Sequence, residues 1–254
     1  MEKEENLLYH YTSLATLKKI IKGIQNGYMH LRAGNAKKMK DPTDCYYFLN
    51  LLCEMNNDEV NIKEILREKE TFDNPYIISL TSSVDDLYMW ENYGDKCNGI
   101  AIGIGIESLY TETRNFFLKY KLATHLYRCR YIDHVKGIKE FDRLINNIDS
   151  NGILLYKNDV SNISNLVKKS SYTQEKEFRI VIEYGKNEHT HGWYNRNEDA
   201  FFFPIPLSSV KKIIVGHSAN YKEIEKNYSI IFQNAEFVKS KIDIGKHEQD
   251  MSKM

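Results

Sequence analysis

An alternating run, Phe178–Glu183, most strongly limits how this chain can fold. Apolar side chains alternate there with other residues, and a period of two is typical of a β-strand. Glu175 and Glu177 precede the run, and in extended conformation both carboxylates lie on the same face as Arg179. Two acids and an arginine at the start of a strand fit a site that stabilises a cation while controlling which carboxylate stays ionised. The alternative is a solvated strand entrance with a local Glu–Arg pair.

The remaining segments place this strand in an α+β fold. Further strands are predicted at 7–11, 28–32, 76–80, 99–106, 125–132, 200–205, 211–215 and 236–242. Helices are predicted at 13–24, 43–55, 60–69, 85–93, 138–148, 160–169 and 221–232. Because helices precede a β-rich second half instead of alternating with strands, the order favours α+β over a ladder of βαβ units.

Glycines and chain ends refine this prediction. Thr12 or Ser13 is expected to cap the first helix, and Gly27 to stop it. The Gly-rich run GIAIGIGI at 99–106 predicts a buried strand that allows close approach. Without a repeat or a linker, the chain is predicted to form one domain, 1–254, with a helical insertion at about 43–70 and a frayed tail at about 243–254.

Composition excludes several classes of protein. Lys+Arg and Asp+Glu are both 35, so no global basic field argues for nucleic acid. The four cysteines lack CxxC spacing, and His189 and His191 lack an evident third ligand, so no metal is expected. No apolar run reaches the roughly 18 residues that a membrane span needs. We therefore expect a cytoplasmic protein that does not bind membranes.

Three short motifs occur in an informative order: His10-Tyr11-Thr12, the segment SLTSSVDDLYMWENY at 79–93, and Glu175-Lys176-Glu177. Together they resemble the ADP-ribosyltransferase superfamily, in particular its His–Tyr–Glu branch, which includes diphtheria toxin and the poly-ADP-ribose polymerases. From Tyr9 to about His217 the chain is also similar to an uncharacterised bacterial family with the order HYT, DP-x-[DE], MW-x-x-Y, G-I-A-I and E-x-E-[FW]-R. The resemblance implies an ADP-ribosyltransferase-like split mixed β-sheet.

The resemblance also implies an activity. Such an enzyme cleaves the nicotinamide–ribose bond of NAD, its substrate, and transfers ADP-ribose to a protein or nucleic-acid acceptor. An intracellular toxin or phage-defence effector, with an inhibitory partner protein, is the implied bacterial context. Two alternatives stay open: an NAD glycohydrolase, and a module of the same fold that binds a nucleotide or partner without catalysis.

The resemblance assigns roles to the two acids. Bond cleavage builds positive charge on the ribose, as in glycoside hydrolysis, and Glu177 is the expected carboxylate that stabilises it. Glu175 is expected either to orient the acceptor or to raise the pKa of its neighbour through like-charge repulsion.

Other motif residues are expected to bind NAD. His10, beside Tyr11 and Thr12, would orient the adenosine-side ribose, with Thr12 holding the strand edge. Tyr93 would stack on the nicotinamide ring, while Trp90 is expected to be core. Ser82 is similar to a serine of the arginine-specific branch, although a serine before a helix is more often a cap.

Overall fold

The structure, a computed structural model, describes residues 6–38, 44, 47–48, 50–51, 74–134, 164–184 and 194–242. The predicted helices at 60–69 and 138–148, the frayed tail and the pair His189/His191 lie outside these residues. Of the predicted helical insertion, Asp44, Tyr47, Phe48, Asn50 and Leu51 are described; Asp44 has 3₁₀ geometry and the other four are α-helical.

Twelve strands lie in the described ranges. They are β1 (Leu7–Thr12), β2 (Tyr28–Asn35), β3 (Asn74–Thr81), β4 (Ile100–Gly105), β5 (Thr124–Arg128), β6 (Arg130–Ile132), β7 (Val167–Lys169), β8 (Glu177–Tyr184), β9 (Tyr194–Asn195), β10 (Ala200–Pro206), β11 (Val210–Val215) and β12 (Glu236–Lys239). The main sheet has the order β12-β11-β4-β1-β3-β2-β10-β9, and β8 pairs with both β3 and β5. Its pairs are antiparallel except β11 with β12. A mostly antiparallel mixed sheet with few helices confirms the α+β prediction.

The main sheet divides between β1 and β3. β1 pairs with β4 along its whole length, from Leu7–Gly105 to Thr12–Ile100. It meets β3 at one register position, Tyr9–Thr81. β3 instead pairs with β8 from Asn74–Tyr184 to Thr81–Glu177. The two parts of the sheet therefore separate beyond that single bridge, and the start of β8 lies beside the opening.

In the described ranges, the α-helices with defined bounds are α1 (Leu14–Lys22), α2 (Leu87–Asn92), α3 (Ile106–Tyr120) and α4 (Tyr221–Tyr228). Ser13 caps α1 as predicted, but the helix ends at Gly23, whose N–H donates to the Lys19 and Ile20 carbonyls. Gly27 lies further on, in the turn before β2, with a φ of +79° that favours glycine.

The sequence did not predict α3. Leu109 and Phe116 of this helix are buried, whereas Tyr110, Phe117 and Leu118 are exposed. Because apolar side chains occur on both faces, the one-sided period of an amphipathic helix is blurred.

Two other predictions were wrong in part. The strand predicted at 125–132 breaks at Cys129, which separates β5 from β6. The helix predicted at 160–169 is wrong over its last three residues, since Val167–Lys169 forms β7 and pairs in parallel with β6. Pairing with a distant segment overrides local preference here.

Two strands of the core, β4 and β8, are largely buried. In β4, a Cβ on Gly103 would lie 2.9 Å from the Tyr9 ring, so this glycine does allow close approach. In β8, the alternation predicted one polar face, but Arg179 and Val181 are as fully buried as Ile180 and Ile182. A buried arginine requires partners of opposite charge, and these define the candidate site.

Candidate active site at the split of the sheet

A cavity of about 300 Å³ lies where β1 and β3 separate. Its walls come from Tyr9–Tyr11, Ile77–Thr81, Met89 of α2, Tyr93 directly after α2, and the side chains of Arg32, Asp44, Lys168, Tyr172, Glu175 and Glu177. This volume falls at the lower end of the range for small-molecule sites, about 300–1,000 Å³. The split of the sheet therefore creates a concave site with an unusual number of charged groups.

The structure brings five of the seven predicted site residues to this cavity: His10, Tyr11, Tyr93, Glu175 and Glu177. Thr12 and Ser82 do not line it. Thr12 is buried in the pairing with β4, opposite Ile100. Ser82 is exposed and donates through its backbone N–H to the Lys176 carbonyl, while Asp86 caps α2. The structure therefore does not support the expectation that Thr12 or Ser82 contacts a ligand in this cavity.

Glu177 begins β8 and is held by its backbone as well as its side chain. Its N–H donates to the Tyr131 hydroxyl over 2.7 Å. Its Oε1 accepts from Arg179 Nε at 3.0 Å, and its Oε2 accepts from Arg179 Nη2 at 3.1 Å and Lys168 Nζ at 2.8 Å. Burial opposes ionisation, but the charges of Arg179 and Lys168 outweigh it and lower the pKa of Glu177 to about 2. The predicted alternative of a raised pKa at Glu177 is therefore wrong, because Arg179 and Lys168 lower it.

Glu175 reaches the same cation from a different backbone geometry. It ends a 3₁₀ turn, Ser170–Glu175, and Lys176 follows with a left-handed φ of +41°. The acids are therefore not on one extended segment, contrary to the prediction. The Thr81 hydroxyl donates to the Glu175 carbonyl at 2.6 Å and holds the turn against β3. The Glu175 carboxylate accepts from Lys168 through Oε2 and from the Tyr93 hydroxyl through Oε1, the latter at 2.7 Å.

Arg179 and Lys168 connect these acids to a third carboxylate. Arg179 is completely buried and donates to Asp44 Oδ2 at 2.5 Å and to the Asn165 carbonyl at 2.9 Å. Lys168 Nζ lies 3.4 Å from the same Asp44 oxygen. Three carboxylates thus share two cations, which leaves this cluster with one excess formal negative charge. Asp44 Oδ1 is buried without a hydrogen-bond partner in the described part of the chain.

His10 and Tyr93 both line the cavity. His10 is half-buried, with Nδ1 3.3 Å from the Ser79 carbonyl, and burial lowers its pKa. A neutral ring that donates through Nδ1 leaves Nε2 as an acceptor. Tyr93 is 43% exposed, and burial of its hydroxyl together with the bond to Glu175 raises its pKa. Its hydroxyl is thus a donor to Glu175, while the exposed ring remains available to a ligand.

Trp90 and Tyr11 pack against each other, and Tyr11 lines the cavity. Trp90 is fully buried, which confirms its prediction as core. The Tyr11 ring packs edge-on against it with centroids 4.9 Å apart. The Tyr11 hydroxyl donates to the Ser83 carbonyl at 3.2 Å and accepts from the Asp86 N–H at 3.3 Å. Tyr11 therefore fixes the loop that leads into α2 and so helps to place Tyr93.

Sequence reasoning missed Lys168, Asp44 and Tyr172 as residues of this cavity. Lys168 was concealed inside a predicted helix, although a buried E-x-E pair requires a nearby cation. Asp44 closes the DPTD motif, and that motif was the available signal. Tyr172 lies with its ring 5.1 Å from Lys168 Nζ, in a turn without periodicity.

The comparisons with known proteins give one match. Residues 89–180 are similar to DUF2971, a family described as proteins of unknown function. The matched segment contains Tyr93, Lys168, Glu175 and Glu177 but not His10. No curated protein and no solved structure matches the chain.

Two further observations concern the described residues alone. None of their helices has the length and apolar character needed to cross a membrane. Within the same ranges, no group of three or more His, Cys, Asp or Glu residues is arranged to hold a metal ion.

Proposed function

We propose that this protein is an NAD-dependent ADP-ribosyltransferase with an ADP-ribosyltransferase-like split sheet. The observation that carries the proposal is the placement of His10, Tyr93 and Glu177, from distant parts of the chain, on one cavity at the split between β1 and β3. All three are the residue types that the motif order assigned to ribose orientation, ring stacking and cation stabilisation.

The state of Glu177 supports this chemistry. Cleavage of the nicotinamide–ribose bond builds positive charge on the ribose, and a carboxylate that is ionised near neutral pH can stabilise it. A carboxylate oxygen has two lone pairs, and Glu177 Oε1 accepts one hydrogen bond from Arg179. The remaining lone pair suits a ribose hydroxyl. The excess negative charge of the cluster favours the cationic nicotinamide end of NAD at this wall.

The rest of the cavity matches the other parts of the dinucleotide. The exposed Tyr93 ring offers a face for the nicotinamide, and the neutral His10 offers an acceptor for a ribose hydroxyl. Arg32, half-exposed at the cavity wall and 3.4 Å from the Glu198 carboxylate, offers a guanidinium for the phosphates. Glu175 is available to orient an acceptor, which is a protein or a nucleic acid; with water as acceptor the same steps hydrolyse NAD.

One observation favours a second candidate, a module that binds a nucleotide or a partner protein without catalysis. The Glu177 carboxylate already accepts three hydrogen bonds from Arg179 and Lys168. Such bonds compete with a ribose hydroxyl for the same oxygens.

Incubation of the protein with NAD labelled on the adenine side, with and without cell extract, tests the proposal. Nicotinamide release with label on protein or nucleic acid supports a transferase, and release without macromolecular label indicates a glycohydrolase. A rise in the melting temperature with NAD but no release supports the binding module, because a ligand selective for the folded state stabilises it. The proposal is overturned if millimolar NAD produces no nicotinamide release and no shift of the melting temperature.

A further inference from the structure

We propose that Lys168 is a positioning residue of this site, whose ammonium group divides the tasks of the two glutamates by turning Glu177 toward the ribose and Glu175 toward Tyr93. The catalytic consequence rests on the proposed function. The bridging itself rests on the contacts of the side chain.

The Lys168 ammonium group lies between the two glutamates. It donates to Glu177 Oε2 at 2.8 Å and also to Glu175 Oε2. The side chain is 7% exposed, so solvent screens these contacts little. An ammonium group has three donors and no acceptor, and two of them are committed to the glutamates. Each glutamate is left with its other oxygen, Oε1, directed to a different partner: Arg179 for Glu177 and Tyr93 for Glu175.

Lys168 lies on the small β6–β7 sheet, which is separate from the main sheet. Its strand β7 pairs in parallel with β6, where Lys168 lies opposite Tyr131. Tyr131 in turn accepts the backbone N–H of Glu177 through its hydroxyl. The small β6–β7 sheet therefore holds the start of β8 twice, once through the backbone and once through the lysine. Lys169, the next residue on β7, is exposed and offers a matched control.

The positive charge of Lys168 affects the protonation of the carboxylates around it. Several titratable or charged groups surround it: Asp44, Tyr88, Tyr93, Cys129, Tyr131, Tyr172, Glu175, Glu177 and Arg179. Burial opposes its charge, but the carboxylates raise its pKa above the ordinary value, so it stays protonated. Without it, three carboxylates would share Arg179 alone, and close acids that cannot all ionise take up a proton. Loss of Lys168 should therefore change the protonation of the glutamates.

The test compares Lys168→Met, Lys168→Arg and the control Lys169→Met. Carboxyl titrations by NMR with ¹³C-labelled glutamate need no NAD, and Glu175→Gln and Glu177→Gln assign the signals. In Lys168→Met we expect the pKa of at least one of the two glutamates to rise by about one unit or more. Lys168→Arg and Lys169→Met should titrate like the wild type. Unchanged glutamate titrations in Lys168→Met overturn the proposal.

Activity gives a second, separable readout. In Lys168→Met, nicotinamide release should fall about tenfold or more at neutral pH, and its acid limb should move to higher pH. A purely structural lysine would lower stability without moving that limb, an outcome that overturns the positioning role. If the wild type releases no nicotinamide, the transferase proposal is contradicted. The NMR titrations then still test whether Lys168 controls the protonation of the two glutamates.

A double variant covers the case in which Lys168→Met does not fold. Lys168→Met with Glu175→Gln restores the original excess of one negative charge. Folding of the double variant but not the single one supports the charge bridge. Failure of both shows that the lysine acts through packing, and overturns the proposal.

Discussion

Asp199 and Glu177 are two carboxylates whose pKa the protein lowers to about 2 against the effect of burial, but their surroundings differ. Asp199 accepts four hydrogen bonds, from the hydroxyls of Tyr76 and Tyr194, the amide of Asn35 and the ammonium group of Lys38. These donors tie β2, β3 and β9 together. Asp199 therefore acts as a structural junction in the sheet.

Glu177 differs in the balance of charge around it. Three acids share two cations there, and the cluster forms part of a cavity wall. At Asp199 a single carboxylate is matched by its donors. A lowered pKa is common to both, so it does not by itself mark a functional site. The proposed function rests instead on the charged cluster that faces a cavity.

Removal of Arg179 should have the largest effect. Arg179→Met leaves Glu177 and Asp44 buried with one cation fewer, and breaking a buried ion pair typically costs about 3–5 kcal/mol. Urea unfolding should show this loss, whereas Arg128→Met, at an exposed position of β5, should stay within about 0.5 kcal/mol of the wild type. A loss below about 1 kcal/mol for Arg179→Met would mean that the cluster is not held together by its charges.

Glu177→Gln should have the second-largest effect, and it should reduce activity without reducing stability. It leaves two acids with two cations, so folding should stay intact. Nicotinamide release should fall about a hundredfold or more, because the charge that faces the oxocarbenium ion is gone. Glu175→Gln should reduce nicotinamide release less and acceptor labelling more. Wild-type rates in Glu177→Gln would remove this residue from the mechanism.

Asp199→Asn should show the opposite behaviour, a loss of stability without a loss of activity. Hydrogen bonds to charged groups contribute about 1.5–3 kcal/mol each, and the neutral amide oxygen replaces them only in part. Melting curves should show a loss of about 2 kcal/mol at neutral pH, with nicotinamide release per folded molecule unchanged. Reduced release would connect this junction to the cavity and remove the distinction drawn above.

The pH dependence of that loss has a defined sign. The folded pKa of Asp199 lies near 2, below its ordinary value of 3.8, so the ionised form stabilises the fold. This contribution is fully present above about pH 4 and disappears as the pH falls toward 2. The stability difference between the wild type and Asp199→Asn should therefore shrink over this window in acid titrations; a constant difference would assign the effect to packing.

The smallest effects should come from two tyrosines that both donate to these carboxylates. Tyr76→Phe removes a buried bond to Asp199 and should cost about 1.5 kcal/mol, whereas Tyr93→Phe at the cavity should cost about 0.5 kcal/mol. Tyr93→Ala removes the ring and should weaken the NAD-dependent melting shift, whereas Tyr93→Phe keeps the ring and should retain it. An equal loss of that shift in both variants would mean that Tyr93 acts through its hydrogen bond to Glu175 and not by stacking on nicotinamide.

Local pattern was sufficient for β1, β3 and β8 and for the burial of Trp90, and the motif order singled out His10, Tyr93 and Glu177, which line one cavity. These inferences depend on side-chain periodicity and on residue types within short motifs, both of which are written in consecutive residues. The missed helix α3 shows the limit of this approach, since its apolar residues on two faces conceal its period.

The charge cluster depends on contacts between segments far apart in the chain. Asp44, Lys168 and Arg179 carry no shared sequence pattern, and Lys168 reaches the glutamates because β7 pairs with β6 and not because of its spacing from Glu175. Which acid meets which cation is decided when separate strands are packed together, since burial makes an unpaired charge costly and so selects the arrangement in which each has a partner. Periodicity is a property of neighbouring residues, whereas ion pairing in a core is a property of the assembled sheet.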